Sequence, residues 1–244
     1  MALSGLTEAD ADALLEKVVS FEDGSRYERL QPVTNFRKDD GVARILYLCR
    51  RKSEGSSQNE QGNEEYIMKV KVQVPCAEMK EPMEGPNLET AAELHALKTF
   101  ASKKRSSVPH LVTWKKFAQD ADGLFPGGYI VITIMTLMSG KTLLDLGFWG
   151  MTADEQESIR AAFLIVLKNI WRDGFVPYDR GLRNILWDRE AKICSIVDFE
   201  HYYPNRDPTE MNEKEEMEHW GILRRPALNW YQEWAVSAPP KKAR

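Results

Sequence analysis

Apolar residues recur at helical spacing at Ala11, Leu14, Leu15 and Val18, which predicts an amphipathic helix over residues 8–19. From Tyr27 onward the pattern changes to short runs rich in β-branched and aromatic residues. The clearest, Val42–Cys49 and Tyr66–Val74, read as neighbouring antiparallel strands. Residues 51–65 between them carry no apolar side chain, which predicts a disordered loop near 52–64 rather than a domain boundary. Strand-like runs return at Val108–Phe117 and Gly128–Met135.

The second half is led by helices. Asn87 can cap a helix that reaches about Lys103, with Glu89 placed where negative charge meets the positive end of the helix dipole. Thr152 and Glu155 form a capping box for a helix to about Trp171, with Gly174 near its end and Ile159, Phe163, Val166 and Ile170 as its buried stripe. Residues 185–197 read as two short strands joined by a polar turn, and Glu210–Ala235 as one or two helices with Trp220, Leu223, Leu228, Trp230, Tyr231 and Trp234 as their apolar contacts.

Composition narrows the function classes. The chain has 244 residues, and 43% of them are apolar, enough for a substantial core. A formal charge of -4, from 33 basic and 37 acidic residues, gives no global reason to expect nucleic acid or an anionic membrane as partner. Cys49, Cys76 and Cys194 lack paired metal-ligand spacing and read as reduced thiols. His95, His110, His201 and His219 share no spacing that suggests zinc. The acidic N-terminal segment lacks the apolar run of a signal peptide, and no span of transmembrane length occurs, so the cytoplasm is the expected compartment. The basic tail at 237–244 is read as a solvated end, with a nuclear signal as the lesser alternative.

The candidate chemistry lies in residues 176–200. Asp179, Asn184 five residues later and Asp198 one hairpin further on offer three oxygen donors, the kind that Mg²⁺ prefers. Upstream, strand alternation puts Ile67, Lys69 and Lys71 on one face and Tyr66, Met68, Val70 and Val72 on the other. Glu93 shares the inward stripe of its helix with Ala96, Leu97 and Phe100. A carboxylate directed into a packed surface needs a cation, and Lys69 is the natural candidate. Glu89, one turn earlier, is the alternative partner.

A strand lysine, a helix glutamate, an apolar strand entering a connector, a long helix, then Asp179…Asn184 and Asp198-Phe199 follow one another in an order that resembles the protein-kinase-like superfamily over residues 27–203. The resemblance implies an α+β, bilobal fold in one domain. An N-terminal lobe at about 20–138 would hold an antiparallel sheet and one main helix, and a shortened, mainly helical C-terminal lobe would span about 139–236. It further implies ATP and Mg²⁺ as cofactors. Asp179 would orient or deprotonate the attacking hydroxyl, Asn184 and Asp198 would hold metal, and Lys69, steadied by Glu93, would hold phosphates. Ile67, Met135 and Leu137 would surround the base, with the connector Thr136–Gly140 hydrogen-bonding to it.

Departures from the family pattern bear on the acceptor. Asn35–Gly41 offers one glycine where protein kinases carry three; Pro177 and Gly181 stand where they carry histidine and lysine. Arg180 or Arg183 could supply the missing charge, or both could face solvent. Val197-Asp-Phe-Glu-His201 resembles the corresponding element of choline and ethanolamine kinases, and no Ala-Pro-Glu element follows it. The resemblance is therefore to small-molecule kinases of the aminoglycoside phosphotransferase and choline kinase style. It implies phosphoryl transfer to a small-molecule acceptor, or a pseudokinase that serves as a nucleotide-binding or scaffold module with a protein partner. A protein Ser/Thr kinase is the third reading.

Overall fold

The computed structural model describes residues 7–39, 41–52, 64–204 and 207–223. The expected loop near 52–64 falls almost entirely outside the described residues, as do Leu228, Trp230, Tyr231, Trp234 and the tail at 237–244. Two compact units divide the chain: residues 1–94 with 110–137, and residues 95–109 with 138–244. Both mix helices with antiparallel strands, the α+β composition that the sequence predicts.

The first unit begins with α1 (Glu8–Leu14), β1 (Val18–Ser20), β2 (Arg26–Pro32), β3 (Arg37–Asp39), β4 (Val42–Arg51) and β5 (Glu65–Gln73). It continues through the start of α2 (Leu88–Ser102) to β6 (Leu111–Ala118) and β7 (Tyr129–Thr136). The strands form one antiparallel sheet in the order β1-β2-β4-β5-β7-β6, with β3 paired to the start of β4. Alternation decides its faces. Ala43, Ile45, Tyr47 and Cys49 of β4 join Met68, Val70 and Val72 of β5 and Ile130, Ile132 and Ile134 of β7 in one core, sealed by Ala11 and Leu15. On the opposite face, Leu94 of α2 packs with Tyr129 and Val131.

The N-terminal helix is shorter than its apolar period suggests. It stops at Leu14, and Val18 instead pairs with Glu28 as part of a strand. The cause is Arg29, which is buried and donates from Nη2 to the Leu15 carbonyl at 2.7 Å and from Nε to the Glu16 carbonyl at 3.0 Å. Those bonds satisfy carbonyls that a helix end leaves open. Its Nη1 also pairs with Asp12 at 2.6 Å.

The second unit takes Ala96 and Phe100 of α2 into a core around α3 (Ala153–Arg172). The expected stripe of Ile159, Phe163, Val166 and Ile170 is buried there. Around α3 lie β8 (Lys141–Thr142), β9 (Phe175–Pro177), β10 (Ile185–Asp188), β11 (Ile193–Ile196), β12 (Tyr202–Pro204) and α4 (Glu213–His219). Thr152 caps α3 by accepting from the Glu155 amide at 3.3 Å. The Glu155 carboxylate does not complete the box; it binds Arg189 at 2.7 Å. The hairpin expected at 185–197 is the β10–β11 pair, whose turn is fixed by Asp188 accepting from the amides of Glu190 and Ala191, each at 3.0 Å.

Candidate functional site

In the first unit the site is built on β5 and the first turns of α2. Asn87 sets where the helix starts by accepting from the Thr90 amide at 3.1 Å. That start directs Glu93 onto the sheet face that carries Lys69. Glu93 Oε1 meets Lys69 Nζ at 2.6 Å, and its Oε2 meets Lys71 Nζ at 3.1 Å. All three side chains are at least nine-tenths buried. Glu89, the alternative partner, is half-exposed. The sequence pattern pointed to Lys69 but gave Lys71 no separate role. The signal was present in the alternation, which places both lysines on one face.

The same face carries an apolar row. Ile67 lies opposite Leu48 on one side and Met135 on the other, and Met135 lies opposite Leu111. One step along the strands comes Leu46, Lys69 and Thr133. An apolar strip next to buried ammonium groups suits a ligand with a flat apolar part and an anionic part. Met135 is buried, Ile67 is half-buried, and Leu137, just past the end of β7, is exposed.

In the second unit, β9 delivers the chain to Asp179, and a single 3₁₀ turn, Leu182–Asn184, delivers it into β10. Asn184 is buried, and its Nδ2 donates to the Asp179 carbonyl at 2.9 Å and to Asp179 Oδ2 at 3.4 Å. With the amide nitrogen engaged there, Asn184 Oδ1 is the end suited to a hard cation. Asn184 O accepts from Val197 N at 3.0 Å, which ties the loop to the segment bearing Asp198. Asp198 has φ 68, a left-handed conformation uncommon for a residue with a side chain. Such outliers cluster at functional sites. Phe199 anchors this turn, packing edge-on against Phe100 with centroids 4.7 Å apart.

Neither arginine of the loop faces solvent. Arg183 Nη2 pairs with Asp179 Oδ1. Arg180 Nη2 meets Glu216 of α4 at 3.0 Å, while its Nη1 lies 3.0 Å from His219 Nδ1. Burial raises the Glu216 carboxyl above its ordinary value, and Arg180 works against that shift. The cysteines offer no nucleophile at these positions, since burial pushes the Cys49 and Cys194 thiols up to about 12.

The oxygen donors of Asn184 and Asp198 are chemically appropriate for Mg²⁺, and the orientation of the Asn184 amide agrees with that use. Among the described residues, no helix is long and apolar enough to cross a membrane.

No protein-family model matches the chain, and no curated protein matches it. Among solved structures, the chain is similar to the Cydia pomonella granulovirus kinase PK-1, with 16% sequence identity and a TM-score of 0.45. The match covers 73% of this chain and 55% of that one, so the chain spans about half the length of the kinase.

Proposed function

We propose that the chain is an ATP- and Mg²⁺-dependent phosphotransferase that acts on a small-molecule acceptor. The observation that carries this reading is the buried Lys69–Glu93 pair. Removing an ammonium and a carboxylate from water costs several kcal/mol per ion, by order of magnitude, and the resulting pair is weak grounds for a purely stabilising role. A lysine so fixed presents its charge in one place, which is what phosphate binding needs. Lys69 would hold nucleotide phosphates, with Ile67 and Met135 against the base and Leu137 at its edge. Asn184 and Asp198 would hold the metal, which would neutralise developing charge on the phosphates. Asp179 would orient the acceptor hydroxyl, and the bond from Asn184 to the Asp179 carbonyl would fix the loop that carries it.

A second reading, a pseudokinase that binds nucleotide or a protein partner without turnover, is favoured by the Arg183–Asp179 pair. The guanidinium occupies a carboxylate oxygen that an acceptor hydroxyl would otherwise meet. The two readings separate by experiment. ATP with Mg²⁺ should raise the melting temperature of the wild type, because only the folded state offers the site, and Asp198→Ala should abolish the metal-dependent part. An ATP-consumption screen over choline-like amines, aminoglycosides, sugars and peptide pools then identifies the acceptor class. Turnover lost in Asp179→Asn with nucleotide binding retained supports the enzyme. Absence of any melting shift at millimolar ATP would sink the enzyme and the nucleotide-binding pseudokinase alike, leaving only a scaffold that binds a protein partner.

A further inference from the structure

We propose that Glu216 and His219 of α4 are positioning residues for Asp179, acting through Arg180, and that His219 serves only in its neutral form. This rests on the phosphotransferase reading above and deepens it, since Asp179 is the group that would orient the acceptor hydroxyl. Arg180 follows Asp179 directly and uses all of its guanidinium nitrogens. Its Nε donates to the Pro177 carbonyl at 3.1 Å, its Nη2 meets Glu216 Oε1 at 3.0 Å, and its Nη1 lies 3.0 Å from His219 Nδ1. Its backbone amide donates to the Tyr178 carbonyl at 3.0 Å. Asp179 therefore sits inside a tight curl of residues 177–180, closed by the side chain that follows it.

Burial makes this hold firmer than a surface ion pair. The Glu216 side chain is 8% exposed and that of Arg180 20%. A carboxylate so placed costs free energy unless a cation meets it, so each partner fixes the other. The start of α4 sets Glu216 in turn: Asn212 accepts from the Glu215 amide at 3.3 Å through its side chain and from the Glu216 amide at 2.9 Å through its carbonyl. From the other side, Asn184 Nδ2 donates to the Asp179 carbonyl at 2.9 Å. The loop is thus clamped both by its own 3₁₀ turn and by a helix distant in sequence.

The His219 contact fixes a protonation state. A guanidinium carries only N–H donors and stays charged, so Nδ1 can meet it only as an acceptor, with the ring proton on Nε2. Protonating the ring would set a donor against Nη1 and a second positive charge beside Arg180, and the contact would open. The charged groups about the ring are Arg180 from the loop and Glu215, Glu216 and Glu218 from its own helix. Glu216 attracts a protonated ring but does not replace the acceptor that Arg180 loses. Histidine ordinarily changes charge between about pH 5 and 8, so the clamp is complete at the upper end of that range and weakens toward the lower.

Long-range proton–nitrogen NMR of the histidine rings and amide hydrogen exchange over residues 177–184 test the clamp in the full chain without nucleotide, at about pH 8 and about pH 5.5. At the higher pH, His219 Nδ1 should carry no proton. Exchange, corrected for its intrinsic pH dependence, should be about fivefold faster at the lower pH, the scale of one net hydrogen bond. His219→Ala should show the faster exchange at both. His219→Asn, whose amide oxygen offers an acceptor near the place of Nδ1 and does not titrate, should restore slow exchange at both. His219 is exposed, so neither variant disturbs the core. A proton on Nδ1 at the higher pH, or exchange in His219→Ala that matches wild type, would overturn the clamp. With an acceptor from the ATP-consumption screen, His219→Ala should lower kcat about fivefold with KM for ATP unchanged, and His219→Asn should flatten the acid limb of the kcat profile. Unchanged kcat in His219→Ala would overturn the positioning role alone. A wild type without turnover overturns that role together with the phosphotransferase reading, while the ring and exchange results still decide the clamp.

Discussion

The left-handed backbone at Asp198 allows a test that separates strain from chemistry. At φ 68 a residue with a Cβ crowds the following carbonyl, whereas glycine does not. Replacing Asp198 with alanine or with glycine removes the same carboxylate and all of its interactions, so the two variants differ only in how they tolerate this conformation. Alanine should incur roughly 1–2 kcal/mol there. Glycine avoids that cost but gives back about 0.5–1 kcal/mol through its freer unfolded chain. Asp198→Gly should therefore be more stable than Asp198→Ala by about 1 kcal/mol, or roughly 2–4 °C in melting temperature for a chain of this length. Urea denaturation and calorimetry without nucleotide measure the difference. Both variants should lose the Mg²⁺-dependent stabilisation by ATP, because neither offers a carboxylate. Equal stability, or an alanine variant that is the more stable, would refute the strain argument. Retained metal dependence in either would refute the assignment of Asp198 as ligand.

Two further outcomes follow from buried charge. Glu93→Leu leaves Lys69 and Lys71 without the carboxylate they share, and urea denaturation should show a loss of about 3 kcal/mol; a loss no larger than that of an ordinary surface substitution would show that other groups hold both lysines. Burial alone would raise the Asp173 carboxyl, but hydrogen bonds from Arg105 and Lys103 outweigh it and hold the group below its ordinary 3.8. Asp173 therefore contributes stability above about pH 4 that fades as pH falls further, and Asp173→Asn should flatten that acid limb of a stability–pH curve; an unchanged limb would refute the assignment.

Element type was legible wherever one face of an element is apolar and the other polar. The α3 stripe and the alternation of β4 and β5 are of this kind, and each is buried as its spacing requires. Boundaries set by contacts distant in sequence were not. The end of α1 depends on Arg29, 14 residues beyond the Leu15 carbonyl that it caps. Glu155 leaves its capping box for Arg189, 34 residues away. The strands β1 and β3 are three residues each and carry no period of their own. They exist because β2 and β4 offer them a free edge.

For the site, the same distinction separates the residues that were read from those that were not. Glu93 was legible because a carboxylate on an inward stripe demands a cation, and alternation places Lys69 and Lys71 together on one face of their strand. Which oxygen meets which lysine depends on the seating of α2, so the double use of Glu93 was not legible. The arginines of the loop are the harder case. Arg180 and Arg183 are three residues apart, yet one meets Asp179 four residues earlier and the other meets Glu216 of a distant helix. Spacing cannot distinguish a partner within one turn from a partner on another element. Arg37, Arg44 and Lys71 share a face only through the β3–β4 and β4–β5 registers, which alternation within a single strand does not give. A two-residue side-chain period makes any one-residue slip reverse the face, so such a shared face is a property of register and not of composition.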